Sequence, residues 1–238
     1  MAFELVRRGL NLILVGRNPE KLKQVTGELR AEVPTAELVS IVFDLSNDIP
    51  DGIQRLEKAI ERLDVGILVN NAAASYAVPK CLHEVDEEMY TELVKVNMDA
   101  LTEITRVVLL RMLKKKKGAI VNVGSGSSVI APSYPMFTVY AGTKASLHHE
   151  YKEKGIDVQC QVPSYIVTKM VPDKRRSFFN SAPEEYALPA VRAIGFGTTV
   201  LPYWRHSIQC YFAKLAPESI LNEWLLRSAI KRREQYPA

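Results

Sequence analysis

The chain has little that would suit a disulfide-stabilised, metal-binding or membrane-spanning protein. Its three cysteines, Cys81, Cys160 and Cys210, are odd in number and far apart, which indicates neither a disulfide framework nor a metal cluster and implies a reducing compartment. No run approaches the roughly 20 apolar residues that cross a bilayer, and the first residues are unlike a signal or transit peptide. His148 and His149 are adjacent, so on a helix they diverge and make a poor chelate. These absences favour a soluble or peripheral protein without a bound metal.

The charge balance excludes further classes of function. Thirty-one basic and 27 acidic residues give a formal net charge of +4, which is too small to predict nucleic-acid binding. The basic runs at residues 114–117 and 231–233 are expected at carboxyl ends of helices, where cations face the helix dipole; a membrane-surface or acidic-cofactor contact is the alternative. With 238 residues, no repeat and no linker, residues 1–238 are expected to form a single domain.

Apolar segments of strand length alternate with helical stretches. This order predicts an α/β fold with a doubly wound parallel sheet of the Rossmann type, covered on both faces. After the first segment, Asn18 is suited to cap a helix and Pro19 to begin it. Ligands bind such sheets at the carboxyl ends of the strands. The predicted strands lie at residues 10–15, 38–43, 65–69, 119–123 and 158–162.

A serine, a tyrosine and a lysine in one short stretch suit proton transfer to an oxygen atom. Tyr140 and Lys144 are four apart and share a face of a helix. A phenol with an ordinary pKa near ~10 donates poorly at neutral pH unless its anion is stabilised, as an ammonium one turn away would do. Ser125 follows a strand and is placed to hold a carbonyl oxygen beside the phenol. The set predicts acid–base chemistry on a carbonyl or alcohol while hydride moves elsewhere.

The order of these motifs resembles the short-chain dehydrogenase/reductase superfamily. Asn-Asn-Ala at 70–72, Asn97, the serine, tyrosine and lysine, and a strand that leads to Thr168 occur in the superfamily's order. The chain is more closely similar to the very-long-chain 3-oxoacyl-CoA reductases and their hydroxysteroid dehydrogenase relatives. The stretches that carry this resemblance are 9–15, 118–122, 132–135, 155–163 and 202–204.

The resemblance implies NADP(H) as cofactor. Arg17 would face the 2′-phosphate, which a planar guanidinium binds with two hydrogen bonds, whereas NAD-dependent members carry an acidic residue nearby. The alternative is a surface arginine at a helix end. Asp44 would accept from the adenine amino group, and Leu45 would lie against the ring. The remaining implied cofactor contacts are Asn71, Ala72, Tyr140, Lys144, Ile166 and Thr168.

The resemblance also implies the catalytic roles. Tyr140 would donate the proton, and Lys144 would lower the tyrosine pKa and hold the ribose. Asn97 would hold a water on the proton path, although an asparagine inside a helix also commonly bridges neighbouring elements. Ser125 is the expected carbonyl-orienting residue by its distance from the strand asparagine, while the spacing to the tyrosine favours Ser127. No metal ligand is implied.

The chain also departs from the family pattern. The family begins with a strand and a glycine-rich turn that holds the pyrophosphate, whereas residues 1–9 correspond to the second half of the following helix. Ala73 and Ser164 stand where the family has glycines, and the segment after Lys144 is shorter by about seven residues, close to two helical turns. We therefore expect unpaired strand edges, weaker dinucleotide binding and an altered dimer helix.

Three functions follow from these observations. The first is NADPH-dependent reduction of a very-long-chain 3-oxoacyl-CoA in fatty-acid elongation, at the endoplasmic reticulum membrane by resemblance, with elongation subunits or a second copy as protein partners and no nucleic acid. The second is an inactive paralogue or truncated gene model that serves as an interaction subunit. The third is a hydroxysteroid or other lipid-alcohol dehydrogenase. Residues 170–203, rich in aromatics and arginines, are the expected substrate side.

Overall fold

The computed structural model describes residues 1–76, 78–128, 135–143, 151–168 and 177–235. Lys144, His148, His149, Arg175 and Arg176 lie outside these ranges. The strands are β1 Leu12–Gly16, β2 Leu38–Val42, β3 Ile67–Asn70, β4 Gly118–Val123, β5 Ile156–Gln161 and β6 Thr199–Val200. The helices are α1 Ala2–Arg7, α2 Pro19–Glu32, α3 Ile49–Ile60, α4 Glu87–Val94, α5 Ala100–Lys115, α6 Thr138–Thr143, α7 Pro183–Arg192, α8 Trp204–Leu215 and α9 Glu218–Gln235.

The strands form two parallel sheets. β1 pairs with β2 from Leu12 opposite Leu38 to Gly16 opposite Val42. The second sheet has the order β3-β4-β5-β6. Within the described ranges β1 is hydrogen-bonded only to β2, and β3 only to β4, so each has one unpaired edge. The parallel α/β prediction is confirmed, with strand ends displaced by one or two residues.

One hydrophobic core joins the two sheets. Phe43, just after β2, is completely buried with Ile120 of β4 and Ile156 of β5. Helices α3 and α5 pack together over this core. Close approach of α3 requires Gly52, because a Cβ there would meet the Phe43 ring at 2.2 Å. The two sheets are thus held together by side-chain packing.

Two predicted helix signals are confirmed. The Asn18 side chain accepts from the Lys21 amide at 2.9 Å, and Pro19 is the first residue of α2. Helix α5 ends in Lys114 and Lys115, and Lys116 closes it in the left-handed conformation with φ 53°. The start of α2 and the end of α5 therefore carry the residues that the sequence predicted there.

The chain ends in two packed helices, α8 and α9. The buried side of α9 carries Leu221, Leu225 and Ala229, and it meets Ala213 of α8. Arg232 and Arg233 of the basic run at 231–233 lie in the last turn of α9, as expected from the sequence. None of the helices in the described ranges is long and apolar enough to cross a membrane.

Candidate active site

The carboxyl ends of β3 and β4 are fixed by an asparagine pair. Asn70 and Asn122 are register partners on neighbouring strands, and the Asn70 Nδ2 donates to the Asn122 Oδ1 at 2.8 Å. It also donates to the Thr105 Oγ1 at 2.9 Å, on α5. Both asparagines are buried. Asn70 therefore has a structural role, and the exposed residues that follow it, Asn71 and Ala72, form the edge available to a ligand.

Asn97 joins this edge to the helix of the tyrosine. It lies in the π-helical segment Lys95–Asp99 between α4 and α5, and only 2% of its surface is exposed. Its Oδ1 accepts from the Ala74 amide at 2.9 Å, and its Nδ2 donates to the Ala74 carbonyl and the Thr143 Oγ1, each at 3.0 Å. π-Helical turns recur at functional sites. Asn97 thus bridges elements and reaches the residue before Lys144.

Ser125 lies between β4 and a 3₁₀ turn that contacts α6. Its Oγ accepts from the Ser127 hydroxyl at 2.9 Å and from the Ser127 amide at 3.3 Å. Ser127 is buried, whereas Ser125 is partly exposed. Because Ser127 is the donor, the Ser125 proton is directed to another acceptor. This geometry favours Ser125 over Ser127 as the hydroxyl that faces a ligand.

Tyr140 lies in α6, and its backbone amide contacts a second tyrosine, Tyr76. The Tyr140 amide donates to the Tyr76 hydroxyl oxygen at 3.3 Å. The Tyr76 ring stacks on Phe137 with ring centroids 5.3 Å apart, and Phe137 meets Tyr140 edge-on at 6.3 Å. Burial raises the pKa of Tyr76 above its ordinary value, so it is neutral at pH 7. Tyr76 therefore holds the amino end of the helix that carries Tyr140.

The predicted adenosine contacts lie after β1 and β2. Arg17 is about two-thirds exposed, and its Nη1 is 3.3 Å from the Glu92 Oε1. The Asp44 Oδ1 accepts from the Ser46 amide and hydroxyl, which lowers the pKa of Asp44, and Arg17 adds a smaller effect of the same sign. Leu45, expected against an adenine ring, packs on the main core. The structure thus places a cation and an ionised carboxylate together at the edge of this sheet.

The opposite side of the edge is built after β5. Ile166 pairs with Ser181 as an isolated bridge, and this pairing leads to Thr168. The Ser164 amide donates to the His206 Nδ1 at 3.2 Å, and its hydroxyl donates to the Gln209 Oε1 at 2.7 Å. His206 is fully buried, and burial lowers its pKa. Ser164, where the family has glycine, therefore attaches this loop to α8.

An apolar cavity, largely open to solvent, lies between α9 and Met136, just before α6. Its volume is about 560 Å³. Met136, four residues before Tyr140, forms one wall in the left-handed conformation with φ 60°. Strained backbone at a non-glycine residue is commonest at functional sites. The other lining residues are Cys81, Leu226, Ile230, Arg233 and Glu234.

Sequence reasoning predicted groups for the chemistry and did not single out the residues that position them. The structure brings Ser125, Tyr140 and Asn97 around α6, while Lys144 lies outside the described residues. Tyr76 and Thr143 were not singled out. Thr143 precedes the lysine directly, so its position was a usable signal, whereas Tyr76 lies 64 residues before its partner and no local pattern marks it.

Comparison with known proteins identifies the family. A family model described as short chain dehydrogenase matches residues 1–177. The chain belongs to the short-chain dehydrogenase family. Its members are nicotinamide-dependent oxidoreductases of the CH–OH/C=O class, and this class is assigned to the chain.

Two relatives and one solved structure show how similar the chain is to known proteins. A very-long-chain 3-oxoacyl-CoA reductase-like protein of Arabidopsis thaliana is 42% identical, over 98% of this chain and 77% of the relative. The human inactive hydroxysteroid dehydrogenase-like protein 1 is 36% identical, over 96% and 74%. A short-chain dehydrogenase from Sphingobium yanoikuyae, solved in complex with NADPH, has a TM-score of 0.71 at 25% identity, over 90% of this chain and 89% of that one.

Proposed function

We propose that the chain reduces a very-long-chain 3-oxoacyl-CoA to the 3-hydroxyacyl-CoA with NADPH. The observation that carries this is the position of α6, which bears Tyr140, contacts the turn after Ser125, and begins two residues after Met136, which lines an apolar cavity. The hydroxyls of Ser125 and Tyr140 suit a polar carbonyl, and the cavity suits a hydrocarbon chain. The Arabidopsis relative bears the name of such a reductase.

The cofactor contacts fit a 2′-phosphorylated dinucleotide. Arg17 is exposed at the edge of its sheet and offers a planar guanidinium to a phosphate, while the ionised Asp44 would accept from the adenine amino group. Asn71 and Ala72 are exposed at the edge of the neighbouring sheet, and Ile166 and Thr168 follow β5. These residues would hold the adenosine and nicotinamide ends.

The reaction divides between cofactor and chain. When bound, NADPH supplies the hydride that forms the new C–H bond at the 3-keto carbon. Ser125 donates its hydroxyl proton in a hydrogen bond to the keto oxygen, and Tyr140 transfers a proton to that oxygen as charge develops on it. Lys144 stabilises the resulting phenolate. Asn97 holds α6 through Thr143, so that the phenol stays aligned with the serine turn.

The wider context belongs to the same proposal. In this proposal residues 1–238 form one domain, which the shared core of the two sheets supports. The chain acts in fatty-acid elongation at the endoplasmic reticulum, beside other elongation subunits and as a homodimer. A steroid or other lipid alcohol is the alternative substrate for the same groups, since fold and site do not select between them.

A second function is favoured by one finding, the 36% identity to a human relative named inactive. In that case the chain would be a non-catalytic subunit. The two functions differ in turnover, whereas both permit dinucleotide binding.

The test is NADPH oxidation by the purified chain with a long 3-oxoacyl-CoA. Tyr140→Phe should abolish turnover and leave the NADPH-induced rise in melting temperature, because it removes the proton donor and keeps the fold. Tyr90→Phe, at a half-exposed tyrosine of α4, is the matched control and should retain full activity. Turnover by Tyr140→Phe would overturn the mechanism. An NADPH-dependent melting shift without turnover by the native chain would favour the non-catalytic subunit.

A further inference from the structure

Helix α8 has an apolar face that points to solvent. Trp204, Ile208, Tyr211 and Leu215 recur at intervals of four, three and four residues, so at about 100° per residue they form one stripe. Trp204 is 55% exposed, and Tyr211 and Leu215 are each 63% exposed. Phe212, beside the stripe, is 65% exposed. We call these five residues the α8 face.

The opposite side of the same helix is already occupied. His206 and Cys210 are buried, and His206 and Gln209 hold the Ser164 loop. A helix on the surface of a globular protein normally turns polar residues outward. Because the opposite side of α8 already packs on the body, its apolar outer side suits contact with another apolar phase.

The aromatic surface continues beyond the helix. The Phe178 ring lies edge-on to Trp204 with ring centroids 5.7 Å apart and is itself about half exposed. The Arg205 guanidinium lies 4.7 Å from the Phe178 ring centroid and 5.3 Å from that of Trp204. On the neighbouring α9, Trp224 is 58% exposed. Exposed aromatics with a cation among them are typical of surfaces that lie at the boundary between water and lipid.

The charges on α8 favour an anionic partner. α8 contains Arg205 and Lys214 near its two ends and no acidic residue. We propose that the α8 face binds the surface of an anionic lipid bilayer, with the aromatic side chains among the headgroups and the two cations toward lipid phosphates. A second copy suits this face less well, because antiparallel pairing of α8 with itself would bring Arg205 of one chain near Lys214 of the other.

Binding in this orientation would place the substrate side next to the lipid. α8 holds the Ser164 loop that leads to Ile166 and Thr168, and Phe178 follows closely in the chain. An apolar substrate would then reach the site from the membrane without crossing water. The proposal concerns a surface outside the catalytic groups, so it stands independently of the substrate.

The two tryptophans of the chain, Trp204 and Trp224, provide a direct probe. With Trp224→Phe, the remaining Trp204 emission should shift to the blue when vesicles of phosphatidylcholine with phosphatidylserine are added, and lipids brominated on the acyl chain should quench it. Vesicles of phosphatidylcholine alone should bind more weakly, since the cations then lose their partners. Absence of both the blue shift and the quenching would by itself overturn the proposal.

A matched pair of substitutions locates the surface. Tyr211→Glu should weaken vesicle co-flotation by roughly tenfold or more, because it removes an aromatic from the lipid contact and adds an anion there. Tyr90→Glu makes the same change at a half-exposed tyrosine on α4 and should leave flotation unchanged. Equal loss in both variants would overturn the proposal. So would a native dimer, seen by analytical ultracentrifugation, that Tyr211→Glu dissociates while vesicle binding persists.

Discussion

Arg233 in the last turn of α9 donates two hydrogen bonds to the carboxylate of Glu84, at 2.6 and 2.7 Å, across 149 residues of sequence. The Glu84 carboxylate also accepts from the Cys81 amide at 2.7 Å. A bidentate pair fixes orientation as well as distance. The contact therefore ties the C-terminal helix to the turn at Leu82–Glu84, and both elements border the apolar cavity.

Glu84→Gln should loosen α9 over the cavity. The hydrogen bonds from Arg233, followed by that from Cys81, lower the pKa of Glu84 from 4.5 to about 2. The stabilisation is therefore fully present above pH 4.5 and is lost as the pH falls toward 2. We expect faster amide hydrogen exchange in 218–235 and a raised KM for long acyl substrates, with kcat little changed. Glu88→Gln on α4 is the control, and equal exchange in both variants would contradict the role of the pair.

Tyr76→Phe should lower kcat several-fold with little change in the KM for NADPH. The phenylalanine keeps the stacking on Phe137 but removes the hydroxyl oxygen that accepts from the Tyr140 amide, at a cost on the order of 0.5–1.5 kcal/mol. Steady-state kinetics and the melting temperature should be measured together. A loss of melting temperature with unchanged kcat would show that Tyr76 serves the fold alone.

Ser125→Ala and Ser127→Ala should separate the two serines. Removal of the Ser125 hydroxyl should reduce kcat by about a hundredfold, as for loss of one donor to a developing oxyanion. Ser127→Ala removes only the donor that orients Ser125, so a loss below about tenfold is expected. The reverse order of effects would assign the carbonyl contact to Ser127.

His206 should make the fold sensitive to acid. Burial lowers its pKa below the ordinary 6.5, so between the lowered value and 6.5 the unfolded chain binds a proton that the native chain does not. The free energy of unfolding should therefore fall as the pH drops below 6.5, and His206 should have no such effect above it. Urea titrations on both sides of pH 6.5 should show a smaller decrease for His206→Gln than for the exposed control His83→Gln.

The sequence was sufficient where the signal is local. Strand runs and the Asn18 cap each lie within a few residues and were predicted correctly or within one or two positions. Tyr76, the π-helical segment around Asn97 and the Glu84–Arg233 pair depend on contacts between distant segments. Such contacts are set by packing between distant segments. Residue type and spacing in the sequence carry little information about that packing.

The split of the sheet also separates the two ends of the proposed cofactor site. Arg17 and Asp44 follow strands of one sheet, whereas Asn71 and Ser125 follow strands of the other, and among the described strands no ladder hydrogen bond joins the two. A dinucleotide that contacted both groups would link the two sheets where no pairing of the described strands joins them. Cofactor binding would then stabilise the contact between the two sheets, and loss of that contact would weaken cofactor binding. A change that loosens the shared core, for example at Ile120, should therefore weaken cofactor affinity although that residue is not a proposed cofactor contact.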